Sequence, residues 1–259
     1  AFHSLFNLLG LAVFLPVLKP YSHWLGQRFA QPEERPQLSA QSVEVPDAAL
    51  AASAELLRDM RYDAVVLALH QFHLRPELLS LPPEIEHALQ AHYDRHKNVP
   101  ERYAMLKESE SQLLAFSLEL QKGALDRQQA QQLQAQVSEA RALVYSSKTQ
   151  MDVRENVASL RHARDDMLTA IYKTHRNFVK KAYRIYLELS HLPLAEKVVR
   201  EKAAELLSEN DSHYHENNER ARSITPGPAS PDPSLPSVLN VNREMHHSIK
   251  DLIHGRDIE

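Results

Sequence analysis

The stretch Leu133–Met151 reads LQAQVSEARALVYSSKTQM, and Leu133, Val137, Ala140, Val144, Ser147 and Met151 recur in it at alternating steps of four and three. That period gathers six side chains on one face of a helix of roughly 28 Å. Ala140 and Ser147 make a poor zipper between separate chains, so the face is expected to pack against other helices of its own chain. A helix this long with one apolar stripe therefore predicts a bundle.

The same period extends in both directions. Toward the N-terminus, Leu50, Leu57, Met60, Ala64, Leu67, Gln71 and Leu74 form a helical stripe that Pro76 should end. A short helix is expected after Pro82-Pro83. Pro100 suits the first turn of another that carries Tyr103, Leu106, Leu113, Leu114, Leu118 and Leu120 and closes at Gly123, and Asp126 opens the next. Toward the C-terminus, Leu160, Met167, Ile171, Phe178, Ile185 and Leu189 predict one long helix, and Pro193 the start of another reaching about Arg222. A Pro/Ser-rich loop, 223–237, precedes a last helix with Val238, Val241, Met245, Ile249 and Leu252 on one face and Ser237 as its N-cap. With only five glycines and no alternating β-type runs, the chain is expected to be all-α, a long antiparallel helical bundle over 46–259.

Composition limits the chemistry. No cysteine means no disulfide scaffold and no thiolate metal site. A net charge of −4 against thirty Lys and Arg predicts no general affinity for nucleic acid. No Ser-His-Asp arrangement, phosphate-cradling glycine loop or dinucleotide fingerprint occurs, so no catalytic residues and no enzyme activity are expected.

The N-terminal stretch is different in kind. Leu5–Leu18 is an apolar run interrupted by Asn7, Gly10 and Pro16, followed by Lys19, Tyr21, Trp24 and Arg28. Fourteen helical residues rise roughly 21 Å, short of the ~30 Å hydrocarbon core, which suggests the end of a membrane helix that exits on the cytoplasmic side. Residues 1–29 are read as that end, and 30–45, with Pro32 and Pro36, as a linker.

The two ends together carry a resemblance. His3, Phe6, Asn7, Gly10, Leu15 and Pro16 resemble the last membrane helix of bacterial sodium/phosphate cotransporter family proteins. The closing LNVNRE, with Asn240, Asn242, Arg243 and Glu244, and then Ser248 and Lys250, is similar to that family's C-terminal helix. The resemblance implies a PhoU-like regulatory domain on the cytoplasmic face of the bacterial inner membrane, regulating or coupling phosphate transport. Its implied partners are the membrane and a transport domain of the same polypeptide, with sodium and phosphate as transported ligands and no cofactor. The family's Gln-Ser-rich transport motifs have no counterpart here, since Gln41-Ser42 lies in the linker, so the chain is expected to be the C-terminal fragment of a longer transporter. The alternative is a membrane-tethered helical scaffold or adaptor that binds a partner protein.

Three groups of side chains are candidates for sites. PhoU-like domains hold metal clusters with acidic residues four apart, and Glu55, Asp59 and Asp63 have that spacing; a solvated face beside Arg58 and Arg61 accounts for them more simply. A second acidic pair is replaced by Lys148 and Asp152, and a Lys opposes a cation. Of fifteen histidines, His92 and His96 are four apart and His213, His215, His246 and His247 cluster, yet no H-E-x-x-H occurs, so exposed histidines are expected and no metal. Lys173, Arg176, Lys180 and Arg184, with Lys181, form a basic stripe expected to lie opposite the core, either solvated or meeting anionic lipid or a partner.

Overall fold

The computed structural model describes residue 38 and residues 45–95, 97–123, 125–223 and 233–255. The expected membrane-helix end with His3, Phe6, Asn7, Gly10 and Pro16, most of the linker, His96 and most of the Pro-rich loop lie outside the described residues. The described residues are all-α, with no strand among them. Helix α1 spans Pro46–Gln71, α2 Pro83–Tyr93, α3 Val99–Leu120, α4 Arg127–Asp152, α5 Arg154–Arg161, α6 Asp166–His191, α7 Glu196–Arg222 and α8 Leu235–His254. A 3₁₀ turn, Pro76–Leu79, joins α1 to α2.

Local chemistry explains most of the boundaries. Proline occupies the first turns of α1, α2, α3 and α8, where its missing N–H is not needed. Asn98 with Glu101 and Asp126 with Gln129 form reciprocal capping boxes at α3 and α4. Asp165 caps α6 by accepting from the backbone N–H groups of Met167 and Leu168. α1 stops at Gln71, three residues short of the expected Leu74, because His73 turns left-handed at φ 49° and the Leu74 N–H reaches back to Leu69 O at 2.8 Å.

Two boundaries correct the sequence reading. The helix predicted from Leu160 onward is broken: Leu160 belongs to the short α5, and α6 starts afresh behind Asp165, leaving Met167 41% exposed. The N-cap of α8 is Ser234 and not Ser237, whose own N–H it receives at 3.4 Å, so the loop ends earlier than 237.

Pairs of touching side chains fix the helix directions. Asp47 meets Gln129, Ser53 meets Gln136 and Arg61 meets Glu139, so α1 and α4 run the same way. Leu50 shares a small cluster with Phe116, Leu120 and Leu133, so α3 runs opposite to both. Thr174 meets Arg220 and Lys181 meets Glu209, setting α6 against α7. Asn218 meets Asn242 and Asn210 meets His246, setting α7 against α8. α8 in turn opposes α4, because Ser248 touches Ser146 while a Cβ on Gly255 would fall 2.1 Å from the Ala142 Cβ. Gly255 is thus needed for that close approach.

From Tyr62 to Leu69 every residue of α1 is buried, so its second half lies inside the bundle rather than across one of its faces. α2, α3, α4, α5 and α6 all pack on it.

Candidate functional site

Two polar assemblies interrupt the apolar core. The first is a seam made by α4, α6, α7 and α8. His175 Nε2 donates to Asn242 Oδ1 at 2.6 Å, and Asn242 Nδ2 donates to Asn218 Oδ1 at 3.0 Å. His175 Nδ1 is left to accept from His213 Nε2 at 3.1 Å, with Asn217 3.0 Å from that same nitrogen. One step along, Gln150 donates to Ser248 Oγ at 3.0 Å and to the Tyr183 hydroxyl, and Ser248 and Ser146 share a 2.8 Å hydrogen bond. His175, Asn242 and Ser248 are each at most 1% exposed. Burial pushes both imidazoles toward the neutral form, His175 down to about 4 and His213 to about 3. The seam is an uncharged hydrogen-bonded network that ties the closing helix to three others.

The second assembly is charged and lies where α2 crosses α1. Asp63, in the buried half of α1, meets His92 Nδ1 at 3.0 Å, and Asp59, one turn back, stands 3.7 Å from His92 Nε2. Arg95 Nη1 is 3.8 Å from the same Asp63 oxygen. Burial works against a charge on His92, but the hydrogen bonds its ring donates to Asp59 and Asp63 outweigh it and raise its pKa. The Asp59 carboxyl is opposed by burial in the same way and is held low by His92 and Arg95. Asp59, His92 and Arg95 of this group line a cleft of about 450 Å³ together with Arg58, Tyr62, Glu84 and Ile85. Behind it Arg102, fully buried, donates to the backbone oxygens of His92, Tyr93, Arg95 and Lys97, fixing the turn that carries Arg95.

A third polar contact, a two-pronged Arg61–Glu139 pair at 2.7 and 2.8 Å with the Tyr186 hydroxyl 3.4 Å away, clamps α1, α4 and α6 together.

These positions revise the three sequence-level candidates. Glu55, Asp59 and Asp63 are not a solvated face: Glu55 is exposed and stands apart, whereas Asp63 is 2% exposed and engaged with His92. No group of three or more acidic or histidine side chains among the described residues could hold a metal ion. Lys148 and Asp152 pair with each other at 2.7 Å. His92, His175 and His213 are core or part-buried residues and not exposed ones, because α2, α6 and α7 turn them inward.

The basic stripe is not wholly a free face opposite the core. Lys173 is exposed, but Arg176 donates to the oxygens of Phe72 and His73, Lys181 meets Glu209 at 2.6 Å, and Arg184 lies 3.7 Å from Glu188. Lys180 and Arg184 are half-buried. The reason is that α6 packs against several elements, so the side away from its apolar stripe still borders neighbours.

Among the closing-helix residues, Asn242 and Ser248 point into the seam, while Asn240, Arg243 and Glu244 bond to one another on the outside. Lys250, half-buried, lies near Asp211. The sequence does carry the signal for the inward residues. Asn242 follows Val238 by four, Ser248 follows Met245 by three, and His175 lies four from both Ile171 and Val179, which places each on an apolar stripe.

No protein-family model, curated protein or solved structure matches this chain. No helix among the described residues is long and apolar enough to cross a membrane.

Proposed function

We propose that residues 46–259 are a PhoU-like regulatory domain, a long antiparallel bundle, belonging to a sodium-dependent phosphate transporter of a bacterial inner membrane. In this reading the bundle lies on the cytoplasmic side and adjusts the activity of a transport domain elsewhere in the same polypeptide, and it has no catalytic step of its own. The observation that carries the reading is the burial of Asn242 and Ser248. They are the two residues of the LNVNRE-type closing helix that the seam engages, so the part of the chain that resembles the cotransporter family also holds the bundle together. Opposed neighbouring helices, α6 to α7, α7 to α8 and α8 to α4, support an antiparallel bundle, while α1 and α4 pack side by side in the same direction.

A seam of neutral hydrogen bonds is a suitable regulatory element. It has a definite partnered state, and breaking one member orphans others at about 1–3 kcal/mol each. The test is sodium-dependent phosphate uptake by cells that express the full gene, with and without the segment 46–259. Removal is expected to change the dependence of uptake on external phosphate while the transporter still reaches the membrane, and Asn242→Leu should reproduce part of that change. Uptake and its regulation that stay the same after removal overturn the proposal. In that event a protein that co-purifies with the bundle would point to the tethered adaptor.

A further inference from the structure

The cleft between α1 and α2 has features that neither bundle packing nor the regulatory reading requires. Its volume, about 450 Å³, is within the range of small-molecule sites. Its lining is chemically mixed. Arg58 and Arg95 contribute guanidinium groups, Ile85 and Ala88 of α2 and the Tyr62 ring give apolar surface, and Asp59 and Glu84 add carboxylates. Tyr62 is fixed there by ring contacts to His92 at 5.2 Å and to His191 at 4.6 Å.

The two arginines are not used up by the fold. Arg95 Nη1 is buried and makes no hydrogen bond among the described residues; Asp63 Oδ1, 3.8 Å away, is too far to accept one and is already engaged by His92. A buried donor left unmade costs about 1–3 kcal/mol, so a nitrogen in that state at the edge of a cleft calls for an acceptor. Arg58 is exposed on the rim and forms no ion pair among the described residues. Asp59 and Asp63 share the single His92 imidazolium, which leaves one carboxylate charge beside Arg95, but neither carboxylate is within hydrogen-bond distance of the Arg95 Nη1 donor among the described residues. Glu84, exposed on α2, also lines the cleft and repels an anion, so the anionic group of a ligand belongs with the Arg95 and Arg58 guanidinium groups.

We propose that the α1–α2 cleft binds a small soluble oxyanion, a phosphate or carboxylate group attached to a compact apolar body, with the oxyanion on Arg95 and Arg58 and the body against Ile85, Ala88 and Tyr62. A guanidinium matches two oxygens of either group at once, which a lone ammonium does not. The main chain at residue 95 is held by Arg102, so the Arg95 side chain can exchange a partner without moving the turn. The inference stands apart from the transporter reading and needs only the cleft.

Phenyl phosphate is the probe, with inorganic phosphate and uncharged benzyl alcohol beside it, titrated into the 259-residue chain and followed by ¹H–¹⁵N NMR. Saturable shifts are expected at Ile85, Ala88 and Arg95 with phenyl phosphate below about 10 mM, weaker binding with inorganic phosphate and weaker still with benzyl alcohol. Arg95→Gln should cut the affinity about tenfold with the remaining spectrum unchanged, and Arg58→Gln less. The proposal is overturned if phenyl phosphate gives no saturable shift, if benzyl alcohol binds as well, or if binding survives both substitutions. Should Arg95→Gln fail to fold, Arg58→Gln, on the exposed rim, decides alone.

Discussion

His92 and His175 are both buried, 6% and 1% exposed, and both sit where an apolar side chain would fit, yet they are driven to opposite protonation states. At the α1–α2 crossing two carboxylates outweigh the cost of burial and favour imidazolium. In the seam the neighbours are amides, hydroxyls and a second imidazole, so burial prevails and both rings stay neutral. Depth alone does not set the charge of a core histidine; the groups within hydrogen-bond reach decide it. One region of the bundle is accordingly held by ion pairs and another by neutral hydrogen bonds.

The sharpest way to break this contrast is to remove a charge from the first region. Asp63→Ala leaves His92 with Asp59 alone and should cost about 3–5 kcal/mol in urea unfolding, with the His92 pKa falling in an NMR titration. A His92 pKa that stays raised would mean Asp59 alone sustains the imidazolium. In the second region, Asn242→Leu strands His175 Nε2 and the Asn218 oxygen and should cost about 2–3 kcal/mol, with no change in the His92 titration.

The pH dependences should have opposite signs. His175 titrates at about 4 when folded and near 6.5 when unfolded. The unfolded chain takes up the proton first, so this contribution is complete above 6.5 and is lost as pH falls toward 4, about 2 kcal/mol of it by about pH 5. His92 is raised, so its contribution is complete below 6.5 and is lost as pH climbs through the higher folded value. Urea midpoints measured across both windows test this. His175→Gln should shrink the acid arm, to which His213 also contributes, and leave the alkaline arm alone, while His92→Gln should act on the alkaline arm.

The smallest effects concern the basic stripe of α6. Arg176→Gln removes two donors from the end of α1 and should cost about 1 kcal/mol, whereas Lys173→Gln should stay within about 0.5 kcal/mol. Equal values for the two would mean that the Arg176 contacts contribute nothing.

The sequence made the helices legible and the polar core nearly illegible, for physical reasons. Caps and prolines act over three or four residues, so Pro100 and Asp126 could be read directly. The start of α8 was misplaced because Ser234 and Ser237 are equivalent caps until the backbone chooses between them. The break before α6 was missed because Leu160 and Met167 are seven apart and keep helical phase across a turn. Asp63, His175 and Asn242 all sit on apolar stripes, so their burial was implied by position. Their partners come from 24 to 67 residues away in sequence, a pairing that no local pattern encodes.

Arg102 bears on the order in which the chain assembles. Its four carbonyl partners lie between five and ten residues upstream, so the segment from His92 to Arg102 closes on itself before any distant helix is needed. Contacts this local form early, because little chain entropy is lost in closing so small a loop. The turn that joins α2 to α3 should therefore act as a nucleus: Arg102→Ala would slow refolding as well as hasten unfolding, while a change in the His175–Asn242 contact, closed across 67 residues, would act mainly on the unfolding rate.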